Sequence, residues 1–332
     1  MMLSSLRAIC RLYISFVLIC FLLGSCSRQS KDIGSDSLII DKKSLRFIAF
    51  GDWGRNGEYK QKEVATEMAK VAKDLKISFI ASLGDNFYPS GVKSTLDHNW
   101  ISSFEDIYTE HSLQTDWLVV PGNHDYKGNV QAEIDYSRVD RRWNMPARYF
   151  AKKMRINDDS SQSVLLVFLD TTPWISQYYH SPDQAENVRS QDTAAQVKWL
   201  QHVLADSSKD IKWKLVFGHH PLYTGGPRIN SNETSDLNKL LKPIFDKYHV
   251  DAYVCGHEHS LQHIKPEGQT HYFISGAGSE TTSANLIPGI SKFALQKSGF
   301  TAFSVSKDKI TVQIIDYTGN ILYTTTIGHS SS

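Results

Sequence analysis

The chain has 332 residues, enough for one large α/β domain with a sizeable core. Hydrophobic residues make up 41% and charged residues 21%, as in ordinary globular proteins. The net charge of +1 excludes the basic footprint that nucleic acid or a polybasic membrane contact requires.

In chain order, the first feature is a leader. Arg7 and Arg11 precede an uncharged apolar stretch over 14–23, too short for a comfortable membrane span and laid out as a signal peptide. It ends in Leu23-Gly24-Ser25-Cys26, which resembles the lipobox of bacterial lipoproteins. Residues 1–25 are therefore expected to be removed and Cys26 acylated, leaving the protein exported and lipid-anchored in a bacterial cell envelope. Cys10 and Cys20 leave with the signal, so Cys255 alone remains and no internal disulfide is expected. Residues 26–44 are polar and patternless, and read as a tether.

The catalytic domain is expected over 45–328. Apolar runs predict strands at Leu45–Phe50, Ile77–Leu83, Trp117–Val120, Val164–Leu169, Trp213–Phe217 and Ala252–Cys255. Between them, Val64, Met68, Val71 and Leu75 step along one helical face, and Val197, Leu200 and Val203 form a shorter stripe. A third stripe runs from Leu237 to Tyr248, with Thr234 or Ser235 available as N-cap. The tail, "HYFIS", "GFTAFSVS", "KITVQII" and "ILYTTTI", is β-rich, its last two runs flanking a hairpin turn. Alternation followed by strands suits an α/β fold, a four-layer α/β/β/α sandwich with two facing mixed β-sheets.

Five of the predicted strands are followed at once by polar residues behind a glycine or proline. They deliver Asp52, then Asp85 and Tyr88, then Asn123 and His124, then His219 and His220, then His257 and His259. Ligand sites in open α/β sheets lie beyond such carboxyl ends. Asp52, Asp85, Tyr88, Asn123, His219, His257 and His259 make seven donors, more than one tetrahedral zinc needs and enough for two metals with a bridging carboxylate. Oxygen and nitrogen donors without thiolate suit iron, zinc or manganese.

The set GDxG, GDxxY, GNHD, GHH and GHxH resembles the calcineurin-like metallophosphoesterases, and within them the purple acid phosphatases of the small, animal tartrate-resistant type. The match runs from about Phe47 to Gly278. Most of that superfamily has Asp-x-His where Asp52-Trp53-Gly54 stand here, and no tyrosine at the second motif. The resemblance implies Fe(III) held by Asp52, Asp85, Tyr88 and His259, and a divalent Fe, Zn or Mn held by Asp85, Asn123, His219 and His257. A metal-bound hydroxide would attack small phosphate monoesters, nucleotides or phosphoproteins among them. His124 would contact phosphate or protonate the leaving alcohol, with Asp125 orienting it, and His220 is the weaker ligand candidate. Nine residues after His219, where animal members carry a second pocket histidine, stands Arg228, which binds phosphate but has no proton to give. The stretch Thr171–Asp192 falls where animal members have an overhanging loop, so Trp174, Tyr178 and Tyr179 either line the entrance or pack the loop. His98, His111, His180, His202, His249, His263, His271 and His329 match no ligand pattern and read as structural. A phosphodiesterase or nucleotide hydrolase on the same centre is the alternative activity. A binding protein on a degenerate scaffold is disfavoured, because no ligand position is lost.

Overall fold

The computed structural model describes residues 37–156 and 159–328. The expected signal peptide, Cys26, the first part of the expected tether and His329 lie outside the described residues. The first elements in chain order are β1 (Leu45–Phe50), α1 (Gln61–Leu75), β2 (Phe79–Ser82), β3 (Asp116–Val119), α2 (Val130–Tyr136) and β4 (Trp143–Asn144). Next come β5 (Phe150–Ile156), β6 (Asp159–Phe168), α3 (Ala185–Arg189), α4 (Thr193–Leu204), β7 (Ile211–Phe217) and α5 (Asn232–Tyr248). The remainder is strand: β8 (Ala252–Cys255), β9 (Leu261–Ile264), β10 (His271–Ser275), β11 (Ser291–Leu295), β12 (Gly299–Val305), β13 (Lys309–Asp316) and β14 (Ile321–Gly328).

These strands form two mixed sheets of seven, in the orders β14-β13-β12-β1-β2-β3-β4 and β11-β9-β10-β8-β7-β6-β5. The α/β expectation with two facing sheets is met. The β-rich tail completes both sheets rather than forming a third body, since β9 to β11 join one and β12 to β14 the other.

Alternation along β1 shows how the layers arise. Phe47 and Ala49 face the second sheet among Phe79, Leu118, Leu166, Leu215 and Val254. Ile48 and Phe50 face outward, in the same cluster as the α1 residues Val64, Met68 and Leu75. Phe47 stacks on Phe79 at 4.6 Å and on Phe303 at 4.8 Å, and meets Phe217 of the other sheet edge-on at 5.8 Å. Truncating so central a ring costs about 3–5 kcal/mol. The outer face of the second sheet is covered by α4 and α5 through Leu200, Leu204, Leu237, Leu241 and Phe245.

One local expectation is corrected. The helix α5 starts earlier than expected: Ser231, with extended backbone, is the N-cap and accepts from the Thr234 amide, so Thr234 and Ser235 are inside the helix. At the end of the expected tether, the Ile39 amide donates to Gln313 Oε1 at 2.8 Å, and Leu38 packs on the core.

Candidate metal centre

The parallel strands β1, β2 and β3 end at the same edge as β7 and β8, where the two sheets are stitched together by Gly51 N donating to Ser275 O at 2.8 Å. Beyond β1, β2 and β8 the chain turns through left-handed backbone at Asp52 (φ 61°), Asp85 (φ 49°) and His257 (φ 67°). Non-glycine residues adopt this conformation at a cost of order 1–3 kcal/mol, Asn, Asp and His more readily than most. Glycine precedes each of them. At Gly84 (φ 85°) a Cβ would stand 2.8 Å from His219 Nδ1, and at Gly256 it would stand 2.4 Å from Asp52 Oδ2.

The donors converge in two groups that share Asp85. In the first, the Tyr88 hydroxyl lies 3.0 Å from Asp52 Oδ1, from Asp85 Oδ2 and from His259 Nε2. One phenolic proton cannot serve both carboxylates at once. In the second, His219 Nε2 lies 3.3 Å from Asp85 Oδ1, 3.2 Å from Asn123 Oδ1 and 3.1 Å from His257 Nδ1. Its other nitrogen, Nδ1, stands 2.8 Å from the Leu83 carbonyl and therefore carries a proton, which aims Nε2 at the oxygens. Ligand atoms of Asp52, Asp85 and His219 all fall within 4.8 Å of one another, as do those of His219, His220 and His257.

Electrostatics describe the same deficit of positive charge. Burial works against ionising Asp85, but the imidazoles of His219 and His124 outweigh it and hold the carboxyl well below the usual range. Burial also opposes charge on His219, yet Asp85 overrides it and pushes the imidazole up to about 9. Burial, with Asp52 and Asp85 behind it, keeps the Tyr88 phenol far above its ordinary value. A buried pair of carboxylates facing a neutral phenol and two imidazoles is what a multivalent cation would neutralise. The residues present therefore fit a metal pair.

His220 belongs to the wall. Its Nδ1 bonds Thr171 Oγ1 at 2.8 Å and its Nε2 bonds the Tyr178 hydroxyl at 2.9 Å, so both ring nitrogens are engaged. Trp53 points away from the site into an aromatic cluster, its indole donating to Ser82 Oγ at 2.8 Å.

The chain matches the family model described as calcineurin-like phosphoesterase over residues 45–261. It is 34% identical over 297 residues to purple acid phosphatase 7 of Arabidopsis thaliana, covering 87% of this chain and 88% of that one. It is 36% identical over 304 residues to tartrate-resistant acid phosphatase type 5 of Oryctolagus cuniculus, covering 85% and 90%. The chain belongs to the purple acid phosphatases. Among solved structures, this phosphatase superposes on GAP50, the anchor in the inner membrane complex of Plasmodium, with a TM-score of 0.73 at 24% identity over 88% of this chain and 90% of that one. It superposes on purple acid phosphatase from yellow lupin seeds with a TM-score of 0.62 at 15% identity, covering 87% and 54%. Those two likenesses concern the fold.

As a purple acid phosphatase the chain is a phosphomonoesterase hydrolase with buried Asp and His metal-binding groups. Around them, three sequence-based expectations change. Asp125 does not touch His124. Its carboxylate accepts from the amides of Gly122 (2.7 Å), Asn86 (3.0 Å) and Phe87 (3.2 Å), pinning the second and third loops together. A side chain facing the backbone of the preceding loop has its back to its own neighbour, and His124 instead bonds the Pro89 carbonyl through Nδ1 at 2.7 Å. Arg228 is not a free phosphate fork: its Nε lies 3.1 Å from Glu233 Oε2 and its Nη1 3.5 Å from Glu258 Oε2, with 35% of the side chain exposed. In the loop 171–192, Tyr178 is buried against His220 and Glu233, and Tyr179 bonds the Pro173 carbonyl. Both pack that loop. It reaches the site through Gln184, which donates to the Asn123 carbonyl. Gln184 and Glu233 carry no pattern that sequence reading could have used.

Proposed function

We propose that this phosphatase hydrolyses phosphate monoesters at an Fe(III)–M(II) centre. The ferric ion is held by Asp52, Asp85, Tyr88 and His259, and Fe, Zn or Mn by Asp85, Asn123, His219 and His257. The carrying observation is the Tyr88 oxygen, 3.0 Å from two carboxylates and an imidazole. A phenolate is an anionic oxygen donor suited to a trivalent ion. When bound, such a pair clamps the attacking and leaving oxygens of an in-line phosphoryl displacement. Asp85 spans both groups, Oδ2 toward Tyr88 and Oδ1 toward His219, which supports a bridging role.

The other residues orient the ester and move its proton. His124 donates through Nδ1 to the Pro89 carbonyl and its Nε2 stands 4.0 Å from Asp85 Oδ2, beside the donor group, which supports its meeting the ester oxygen and giving the leaving alcohol its proton. Burial lowers its affinity for that proton, which makes it the readier donor. Arg228 stands beside the His257 carbonyl with its charge shared between Glu233 and Glu258, and has no proton to give. The leader supports a lipid-anchored protein facing out of the cytoplasm, acting on small phosphorylated substrates. The alternative of a phosphodiesterase is tested by comparing p-nitrophenyl phosphate with its bis ester. The deciding experiment is the visible spectrum of the iron-loaded, oxidised protein beside Tyr88→Phe. A broad band present in the wild type and lost in the variant is expected. A colourless wild type would remove the ferric-phenolate centre and leave the phosphatase with a pair of divalent ions.

A further inference from the structure

Arg55, the residue directly after Gly51-Asp52-Trp53-Gly54, has a placement that the chemistry above does not use. Its guanidinium carbon lies 3.7 Å from the centroid of the Tyr88 ring and 5.3 Å from that of Tyr59. The side chain is 16% exposed, and one terminal nitrogen meets Glu280 Oε2 at 2.8 Å. Its Nε is buried and has no hydrogen-bond partner among the described residues. The Glu280 contact alone explains little, because Glu280 is 42% exposed and solvent-exposed ion pairs hold a side chain only weakly. What the guanidinium is buried against is the face of Tyr88. Two residues beyond Glu280, the Thr282 amide donates to the His259 carbonyl at 2.8 Å. Arg55 and Glu280 therefore connect the loop of one site donor to the loop of another.

We propose that Arg55 is a positioning residue for Tyr88, holding the ring beneath its guanidinium and setting how strongly that ring gives electron density to the ferric ion. The proposal rests on the ferric-phenolate reading above. A cation over an aromatic face is attracted by the ring's electron density, and more so when the ring is an anion. The charge sits over the ring, nearer to the electron donor than to an ion bound beyond its oxygen. It therefore stabilises the donor orbitals more than the acceptor and raises the energy of the phenolate-to-iron transition. A lysine keeps the charge but not the flat, weakly hydrated face that stacks.

The test compares the iron-loaded, oxidised wild type with Arg55→Leu, Arg55→Lys and Glu280→Gln. Arg55→Leu should stay coloured with its band moved to longer wavelength. It should release iron to a chelator about three- to thirtyfold faster, the size expected of a partly desolvated cation–π contact. Arg55→Lys should fall between it and the wild type, and Glu280→Gln should shift the band the same way by less. If Arg55→Leu does not fold, the other two variants read the same direction. A coloured Arg55→Leu with an unmoved band and unchanged iron release overturns this proposal and leaves the ferric phenolate standing. A colourless wild type overturns both.

Discussion

Nε2 of His257 lies 3.1 Å from Oε2 of Glu233, and both side chains are buried. The approach lacks the alignment of a hydrogen bond in this arrangement. Nδ1 of the same ring faces His219, so Glu233 stands behind the imidazole, on the side away from the metal candidates. Glu233 is in the first turn of α5 and also receives Gln177 Nε2 at 2.6 Å, the Tyr178 hydroxyl and Arg228. One carboxylate thus joins the helix, the 171–192 loop and a proposed ligand.

Carboxylates behind metal-binding imidazoles fix ring orientation, and their loss typically costs 10–100-fold in metal affinity or activity. Glu233→Ala should weaken the divalent ion by about that factor. Glu233→Gln, which keeps an acceptor oxygen, should recover part of it. Titration of the second metal into each variant measures this, and equal affinity in all three proteins would show Glu233 to be a packing residue only.

His124→Ala should lose about a hundredfold or more in turnover while retaining both metals, because general acid help is of that size and the ring hydrogen-bonds Pro89 while its Nε2 stands 4.0 Å from Asp85 Oδ2. Metal content by elemental analysis, beside kcat, checks it. Loss of a metal ion from the variant would make His124 a ligand.

Asp170 gives a pH dependence outside the metal site. It accepts from the Tyr126 hydroxyl, and burial pushes its carboxyl up to about 7 despite the nearby Arg148 and that hydroxyl. The folded value is raised above the unfolded one of about 3.9, so the contribution is fully present below pH about 4 and is lost as pH rises through about 7. Relative to Asp170→Asn, the wild type should lose stability over that window, by at most about 4 kcal/mol for a shift of roughly three units. Thermal melts of both proteins between pH 4 and 8 measure the difference. Parallel curves would contradict it.

Fatty-acid labelling of cells should mark the wild type and miss Cys26→Ala, since Leu23-Gly24-Ser25-Cys26 closes the apolar leader. Equal label in both would remove the lipid anchor.

The convergence of the seven candidate side chains was readable because each follows an apolar strand and a turn, which places them at one edge. The strands missed in the sequence are of another kind. β4, β5 and β11 are the outermost strands of their sheets, with one side unpaired and mixed burial, and β9 has only four residues. Edge strands carry charge and do not read as apolar runs. The partners of the site were also hidden. Glu233 meets His257 across a helix, a strand and a turn, and Arg55 meets Tyr88 from a separate loop, so neither spacing nor periodicity reports the contact. Asp125 misled for the opposite reason. It adjoins His124 in the chain, yet its carboxylate points to the loop before it.

β1 pairs with β2 on one side and with β12 on the other, Leu45 opposite Val305. The strand that begins the domain therefore waits for residues far along the chain to be made before its second side is closed. Until then Phe47 lacks Phe303, half of its stack. Contacts so distant along the chain form slowly, and an emerging polypeptide exposes that edge throughout its synthesis. The order of events is thus built into the topology: the loops of Asp52 and Asp85 are made early, but the sheet that carries them is finished last. A ribosome stalled before Gly299 would leave a chain with every proposed metal ligand and all strands of the second sheet, but with the sheet behind Asp52 and Asp85 open along β1.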